Sequence, residues 1–533
     1  MSEVPVCVIG CGPIGLITAL LLSRHGVPVL LVERRSELNT HPRSRFVDTN
    51  TMELLREFGL EGRVTDTGLG PDWTAVIRWA DNLSVPPYAE VDSPTFHSVP
   101  GPDSPCVPVM TVQDEVEQAL MTKVAADPDI TVHFDTEVVE LSQTDEATTL
   151  VLRHTGTGKR RTVTAAYTVA ADGPGSSTRA VIGAELEGSP QPIHMQDVIF
   201  PADLAAVVGE RKASLLYTQP PEGVLIFQPL DGVRRWRCQV SIGQPDPLTE
   251  TDIRARIMAS LGTTDGVALD IVSMRMWQPT PGCATHFRRG RILLAGDAAH
   301  VSVPTGGLGN KAGFAGARNL AWKLAWVIRG LAPASILDTY DREHRPVALE
   351  RIAYGVATTA VMGRMMLGHR AGDDVAEHVA GTARYADYDH VLRGFELSSE
   401  LIAPNHEAVT RSNDSGAGFR PLVRNGWRAP HRWLDDARTR SVLDWFGHGY
   451  VLVLGPACLA EMWRSAITAR LGPSVPVEVR RLPGGRDIGP YTEDGVVLVR
   501  PDGVIASHLA RAPDPSGPAD LEAIASYLPT AGP

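Results

Sequence analysis

The order of apolar and polar positions divides the chain into a short series of elements. An apolar run ends in Gly10, a helical apolar run follows to Gly26, and a second apolar run closes on Glu33, which predicts strand, helix and strand over 6–33. A helix is expected from about Thr51 to Phe58, with Asn50 as its cap, Glu53 three residues on and Gly59 at its end. Residues 70–105, rich in Pro, Gly and Ser with isolated aromatics, read as irregular strands and loops. Beyond Met110, Val112, Val116, Leu120 and Val124 recur at helical spacing, and the segments ITVHFDTEVVEL and TTLVLRHTGTGKRRTVTAAYTVAADG read as strands around a Gly-containing turn. Residues 185–280 hold strand-length segments such as DVIFPADL, ASLLYTQ, GVLIFQPL and RWRCQVSIG, with one helix near 250–261, and predict an antiparallel sheet forming a separate wall. A buried strand at 292–295, a glycine loop at 304–307, a long helix to about Arg329 and more helix over 336–383 follow. After a linker-like stretch near 403–430, the strand YVLVLG, the helix LAEMWRSAITARLG, the strand VPVEVRRL and a hairpin turning at Asp502-Gly503 predict a small α/β unit with no obvious catalytic set.

Three strand ends carry chemistry. Gly10, Gly12 and Gly15 spell G-x-G-x-x-G. The first allows a tight turn, the second lets backbone approach a pyrophosphate, and the third lets helix and strand pack closely. Pro13 suits the first helical turn, whose N–H groups and partial positive charge face phosphate. Glu33 lies 33 − 15 = 18 residues past the last glycine, near the roughly 20 expected of a carboxylate that accepts from a ribose hydroxyl. This stretch predicts a dinucleotide site without choosing the dinucleotide. Two arginine pairs follow, Arg34-Arg35 and Arg43 with Arg45, and one of them is expected to meet phosphate or an acidic ligand. Asp172-Gly173, with Ser176 and Arg179 opening a helix, forms a second phosphate-type turn. Gly296-Asp297 forms a third strand end, where an Asp can hold a ribose or ribityl hydroxyl, and the glycines of the Pro304–Gly307 loop let backbone N–H groups approach a ligand oxygen. His300 reads as structural. Trp236, Tyr217, Phe227 and Met195 read as sheet core, the alternative being a wide apolar pocket.

The 533 residues suffice for two to four domains, and 43% hydrophobic with 21% charged residues is ordinary for a globular protein. A net charge of −12 argues against nucleic acid or an anionic membrane as the main partner. The apolar N-terminal stretch lacks a basic n-region and is interrupted by glycines in motif register, so it reads as a nucleotide site rather than a signal peptide. No other uninterrupted apolar run reaches the roughly 18 residues of a spanning helix. Six cysteines without a C-x-x-C pair point away from zinc or a disulfide framework and toward a reducing, cytoplasmic setting; no metal is expected.

The three motifs, in this order, resemble the single-component (group A) FAD-dependent aromatic hydroxylases over almost the full length, nearest to the large bacterial aklavinone and tetracenomycin hydroxylase type that oxidises aromatic polyketides. The resemblance implies an α/β fold with three parts. A Rossmann-like FAD-binding domain of the para-hydroxybenzoate hydroxylase type would be assembled from 1–75, 106–183 and 284–400. An antiparallel-sheet substrate domain would take 76–105 and 184–283, and a thioredoxin-like C-terminal domain 405–533. It further implies FAD as cofactor. Gly12, Pro13, Ile14 and Gly15 would cradle its pyrophosphate and Glu33 its adenosine ribose, with Arg34 and Val138 flanking the adenine. Arg43 would lie near phosphates and flavin, Gln113 would touch the FAD chain, and Asp172 would serve both FAD and NADPH. Asp297 would hold the ribityl chain, and Pro304, Gly307, Leu308, Gly309 and Asn310 would line the flavin ring.

What the resemblance implies for mechanism is hydride transfer from NADPH to FAD, O2 addition at flavin C4a, and delivery of one oxygen from the hydroperoxide to an electron-rich ring of a polycyclic aromatic substrate. The cofactor carries that chemistry, and no catalytic acid or base stands out. Baeyer–Villiger or ring-rearranging attack, a non-catalytic flavin-binding sensor and an NAD(P)-only dehydrogenase remain alternatives, and the oligomeric state stays open. One departure stands out: where relatives commonly read G-x-G-x-N-T-G-I-Q-D-A, this chain has Lys311 in place of Asn and Ala315-Gly316 in place of Gln-Asp. The change is either a neutral drift of a helix start or a cation near the flavin.

Overall fold

The apolar runs that end in Gly10, Glu33, Asp172 and Gly296 lie side by side in one sheet. Strands Ile292–Leu294, Arg160–Ala170, Ser2–Ile9, Val29–Val32 and Ile130–His133 follow one another in space, all parallel. Ile9 is in register with both Val32 and Ala170, and Ala170 with Leu294. Parallel pairing therefore brings the motif segments to one carboxyl edge, where open α/β sheets bind ligands. The near-continuous Val/Ile/Leu content suits strands covered on both faces, and Val6, Val8, Leu31, Val169 and Leu293 are fully shielded. A hairpin, Thr136–Gln143 with Thr148–His154, extends antiparallel from Arg160–Ala170. This computed structural model describes residues 2–41, 44–93, 100–101, 103–188, 190–191, 193–221, 223–243, 245–263, 267–386, 396–405, 422–471, 476–484, 488–510 and 518–529.

Five helices carry or brace the loops at this edge: α1 (Pro13–Arg24), α2 (Thr49–Glu57), α3 (Gln113–Ala126), α4 (Leu308–Ile328) and α5 (Asp338–Ala371). The start of α2 differs from its expected cap. Asp48, not Asn50, is the N-cap, its carboxylate accepting from the Thr51 N–H at 3.1 Å. Glu53 does not reach back to complete a capping box: it pairs with Arg428 and accepts from Ser104 Oγ at 2.6 Å. A buried guanidinium far along the chain outcompetes the local amide.

The second sheet has seven strands, in the order Ser273–Trp277, His194–Pro201, Arg235–Ile242, Leu225–Pro229, Leu215–Thr218, Val76–Ala80 and Ala89–Asp92. Neighbours are antiparallel except for the parallel pair Leu215–Thr218 and Val76–Ala80. One face buries Val198, Phe200, Phe227, Trp236 and Val240 against Ile253, Ile257 and Leu261 of helix Glu250–Leu261. Trp236 and Phe227 thus belong to this core. Strand alternation puts Tyr217 and Met195 on the opposite face, where Tyr217 packs with Trp79 and with Met362 and Met365 of α5.

The C-terminal sheet runs Val477–Arg481, Tyr450–Leu454, Val496–Val499 and Ile505–Leu509, with the first pair parallel and the rest antiparallel. Residues 406–421, within the expected linker, lie outside the described residues. The Asp502-Gly503 hairpin drives charge between α4 and α5. Arg500 donates to both oxygens of Glu343, at 2.7 and 2.9 Å, and pairs with Asp502. Lys323 donates to Glu343 at 2.8 Å and to Asn319 at 2.7 Å, while Asn319 and Trp322 donate to Asp502 at 3.1 and 3.2 Å. Burial alone would raise the Glu343 pKa, but Arg500 and Lys323 hold it well below the usual carboxylate range. Two cations and two carboxylates balance, and each ion depends on the others to offset its desolvation. Among the described residues, no helix is long and apolar enough to cross a membrane.

Removing one member should therefore be costly. Arg500→Met is expected to destabilise the protein by about 3–5 kcal/mol in urea unfolding. Adding Glu343→Gln, which removes the surplus buried charge, should recover part of that loss. An Arg500→Met protein as stable as wild type contradicts the balance described.

Candidate functional site

The three glycines of the first loop are required for different reasons. Gly10 has φ +104°, and a Cβ there would stand 2.5 Å from the Ala171 carbonyl oxygen. A Cβ on Gly15 would collide with the Gly10 carbonyl. Both demands come from the chain's own packing. Gly12 has φ −72° and ψ 177°, which any residue adopts, and a Cβ on it would meet no atom of the described residues within 4 Å. The open space lies before the first turn of α1, with Pro13 at its start, and suits a phosphate at a helix N-terminus.

Glu33 is fixed beside this loop. Its carboxylate accepts from the N–H of Cys11 at 2.9 Å and of Arg35 at 3.1 Å, and its carbonyl accepts from Thr136. The Arg35 guanidinium stands 3.6 Å from it, while Arg34 is exposed. Val138, two residues beyond Thr136, is half-buried in the hairpin. Arg43 lies outside the described residues. Arg45 turns to the second sheet, donating to the carbonyls of Pro229 and Ser214 at 2.8 Å each.

The other two motifs are tied together. One oxygen of Asp172 accepts from the Thr178 N–H and hydroxyl at 3.3 and 3.0 Å; the other is buried with no partner among the described residues, which suits a ligand hydroxyl. Arg179 donates to Pro174 and, across the sheet, to Ala298, joining the Asp172 turn to the residue after Asp297. Arg179 is thus a structural tie. Gly296, with φ +59°, and Gly313 of α4 both receive Ile14: a Cβ on either would lie 2.9 and 2.6 Å from that side chain. The Asp297 carboxylate and Ser302 both stand 3.8 Å from where a Cβ on Gly309 would be. The Ser302 hydroxyl is a second buried polar atom without a partner among the described residues.

The loop after Pro304 takes two successive left-handed residues, Gly306 at φ +80° and Gly307 at φ +59°, and the Gly307 N–H returns to the Pro304 carbonyl. Lys311, buried, braces it: its ammonium donates to the Gly306 carbonyl at 3.0 Å and lies 3.3 Å over the Phe46 ring. On the far side α5 presses in, with Thr359 donating to Thr305 at 2.7 Å and Leu308 packed on Tyr354. Gln113, first residue of α3, faces Asn310 across 3.5 Å and donates to Glu117 at 2.6 Å. Burial and the charge of Arg351 push the His300 pKa down to about 4, so it stays neutral. Gln113 and the loop at 304–310 thus meet at one end of the carboxyl edge and Glu33 with Gly12 at the other. Reading the sequence missed the polar groups of the second sheet; the signal was the alternation of Arg235, Arg237 and Gln239 with Trp236 and Cys238.

The two glycine demands separate by experiment. Gly12→Ala should fold with wild-type stability yet bind FAD at least about tenfold more weakly, about 1.4 kcal/mol. Gly15→Ala should lose at least about 2 kcal/mol of stability from overpacking. Flavin titration and thermal unfolding read the two effects, and equal FAD affinity of wild type and Gly12→Ala would sink this reading of the open space.

The chain matches the FAD binding domain family over residues 3–353 and the C-terminal region of the aromatic-ring hydroxylases over residues 423–527. It is 33% identical over 468 residues to aklavinone 12-hydroxylase DnrF of Streptomyces peucetius, covering 85% of this chain and 92% of that protein. It is similar in structure to the flavin-dependent monooxygenase PieE solved with FAD and substrate, with TM-score 0.86, 26% identity and 98% of each chain covered. A ternary complex of aklavinone-11 hydroxylase with FAD and aklavinone gives TM-score 0.84 at 29% identity over 99% of each chain. The parallel sheet with its glycine-lined edge, the second sheet and the C-terminal unit together make the chain a member of the FAD-binding aromatic-ring hydroxylases, and an FAD-dependent monooxygenase.

Proposed function

We propose that this monooxygenase consumes NADPH and O2 to place one oxygen atom on a polycyclic aromatic substrate of the polyketide type. The observation that carries the reading is the pairing of two glycine-lined ends, at Gly12 and at Gly306-Gly307, on one sheet edge. Similarity to proteins named for aklavinone hydroxylation supports the substrate class.

In this reading Gly12, Pro13, Ile14 and Gly15 receive the FAD pyrophosphate, and Glu33, held by the Cys11 and Arg35 amides, takes the adenosine ribose. Arg34 and Val138 flank the adenine, and Arg43 serves the phosphates. Gln113 touches the FAD chain, Asp297 holds its ribityl part, and Asp172, with one oxygen unpartnered among the described residues, serves both FAD and NADPH. Pro304, Gly307, Leu308, Gly309 and Asn310 line the ring, with backbone N–H groups toward its polar edge. Bound FAD supplies the redox chemistry, accepting hydride from NADPH and activating O2. The protein supplies orientation and a dry surface, Leu308 being packed between Phe46 and Tyr354. No side chain is assigned as a catalytic acid or base.

Turnover with a panel of polycyclic quinones and phenols tests the reading. NADPH oxidation should be stimulated by at least one of them, with one oxygen-18 atom from labelled O2 in the product. Ring expansion in the product would indicate Baeyer–Villiger chemistry instead, and a yellow protein that no aromatic stimulates would indicate a sensor. Lys311 offers a second check. If its ammonium favours the reduced flavin anion, Lys311→Asn should lower the midpoint potential on the order of 30 mV, equivalent to about 1.4 kcal/mol in a two-electron couple. An unchanged potential leaves Lys311 a brace for the Gly306 carbonyl alone.

A further inference from the structure

The C-terminal sheet ends on one side in the strand Val477–Arg481, which pairs with Tyr450–Leu454 and, among the described residues, with no other strand. Bonds at both ends fix which of its backbone groups are used. The Tyr450 N–H donates to the Pro476 carbonyl at 2.9 Å, and the Leu482 N–H donates to the Leu454 carbonyl at 2.9 Å. In a parallel pair, alternate residues turn their N–H and C=O toward the neighbour. Pro476, Glu478, Arg480 and Leu482 therefore face the sheet, while Val477, Val479 and Arg481 aim their backbone groups outward. Each of these three leaves one N–H and one C=O at the edge. Side chains alternate too. Val477 and Val479 pack onto the core that holds Trp463 and Ile467. Glu478 and Arg480 stand on the opposite face, paired with each other at 2.6 Å and half-exposed. A cavity of about 680 Å³, lined by Leu434, Trp445, Pro456, Arg464, Val479 and Arg480, leaves room beside the strand.

Short length, prolines at both ends and charged side chains keep an edge from pairing indiscriminately. Here the charges also select one partner. A second copy related by a two-fold axis lies antiparallel to this strand and presents the same patch. The outward backbone groups allow that axis to pass at Glu478, Val479 or Arg480 if more than one residue is to pair. An axis at Glu478 sets two carboxylates opposite one another, and an axis at Arg480 sets two guanidiniums opposite one another. Like charges directly opposed destabilise a pair of strands. The axis at Val479 does the reverse. It sets Glu478 of each copy opposite Arg480 of the other, Val479 opposite Val479 and Val477 opposite Arg481, and it uses the whole strand.

We infer that Val477–Arg481 is a contact between two copies of this chain, paired antiparallel about Val479 so that two C-terminal sheets join edge to edge. Val479 exchanges both of its backbone bonds with its counterpart, and Val477 and Arg481 exchange theirs with each other across the axis. The Glu478–Arg480 pair that each chain now makes within itself is replaced by two pairs between chains, so charge stays balanced. Five residues a side make a small contact, and the association is accordingly weak and concentration-dependent. It is independent of the substrate reading, since the strand contributes no residue to the edge that bears Gly12 and the loop at 304–310.

The test is analytical ultracentrifugation of the full-length, FAD-loaded protein. Wild type should exchange reversibly between monomer and dimer with a Kd on the order of 10 µM. Arg480→Glu and Glu478→Arg each set like charges opposite one another, and each should weaken the dimer about tenfold or more. Carrying both exchanges in one chain should restore the wild-type Kd to within about threefold. Mixing the two single variants supplies a further readout: one carries two carboxylates and the other two guanidiniums, so they should form a mixed dimer more readily than either pairs with itself. Flavin absorbance and thermal midpoint, unchanged in all variants, show that the fold is kept. A wild type that stays monomeric to about 100 µM overturns the proposal, as does a dimer whose Kd the single variants leave unaltered. Failure of both the double exchange and the mixture to recover association overturns the register about Val479.

Discussion

The placement of Ile14 between Gly296 and Gly313 is the contact on which the rest of the site depends. Ile14 belongs to the helix that begins at the open space beside Gly12, while the two glycines belong to the strand end and helix that carry the Asp297 and Pro304–Gly309 segments. A methyl group on either glycine would meet the isoleucine at under 3 Å. Interiors are packed too closely to absorb that without movement. The contact therefore fixes how far α4 stands from α1, and with it the span between the two glycine-lined ends. Parallel strand register supplies the common edge; Ile14 supplies the spacing along it.

That spacing is braced from outside by arginine-centred ties. Arg500 and Lys323 hold Glu343, so the C-terminal hairpin grips both α4 and α5. Arg428 of the same region holds Glu53 on α2, and Arg24 and Arg318 converge on Glu57 at the end of that helix. The helices so fixed are the ones that bear the loop at 304–309 and the Phe46 segment beneath Lys311. The C-terminal unit lacks C-x-x-C, and its contribution here is mechanical: it immobilises the scaffold of a site to which it lends no side chain among the described residues.

Much of this was legible in the sequence because the informative residues sit at strand ends, where local spacing carries meaning. Gly10, Gly12, Gly15, Glu33, Asp172 and Asp297 each follow an apolar run by a few residues, and parallel pairing does the rest. Trp236 and Phe227, read as sheet core, lie in the core under helix Glu250–Leu261. What escaped was set by partners distant in the chain. Asn50 and Glu53 looked like a cap because nothing local reveals Arg428. Arg45 read only as one of four arginines of which one would meet phosphate or an acidic ligand, because the Ser214 and Pro229 carbonyls that hold it lie some 170 residues away or more. The hairpin turn at Asp502-Gly503 carried no sign that Arg500 and Asp502 are buried; their burial comes from Glu343 and Lys323 lying opposite.

The two faces of the second sheet differ: one is fastened to its helix by apolar contact, the other carries the buried network of Arg237, Asp197, Gln239 and Gln228. The central claim is that a single FAD spans from Gly12 to the loop at 304–310, with its ring facing that polar face. A crystal structure of the flavin-loaded protein tests this most directly. The account predicts the pyrophosphate against the first turn of α1 and the polar edge of the ring within hydrogen-bond distance of backbone N–H groups between Gly307 and Asn310. A ring bound elsewhere, or a pyrophosphate not in contact with Gly12, would contradict it.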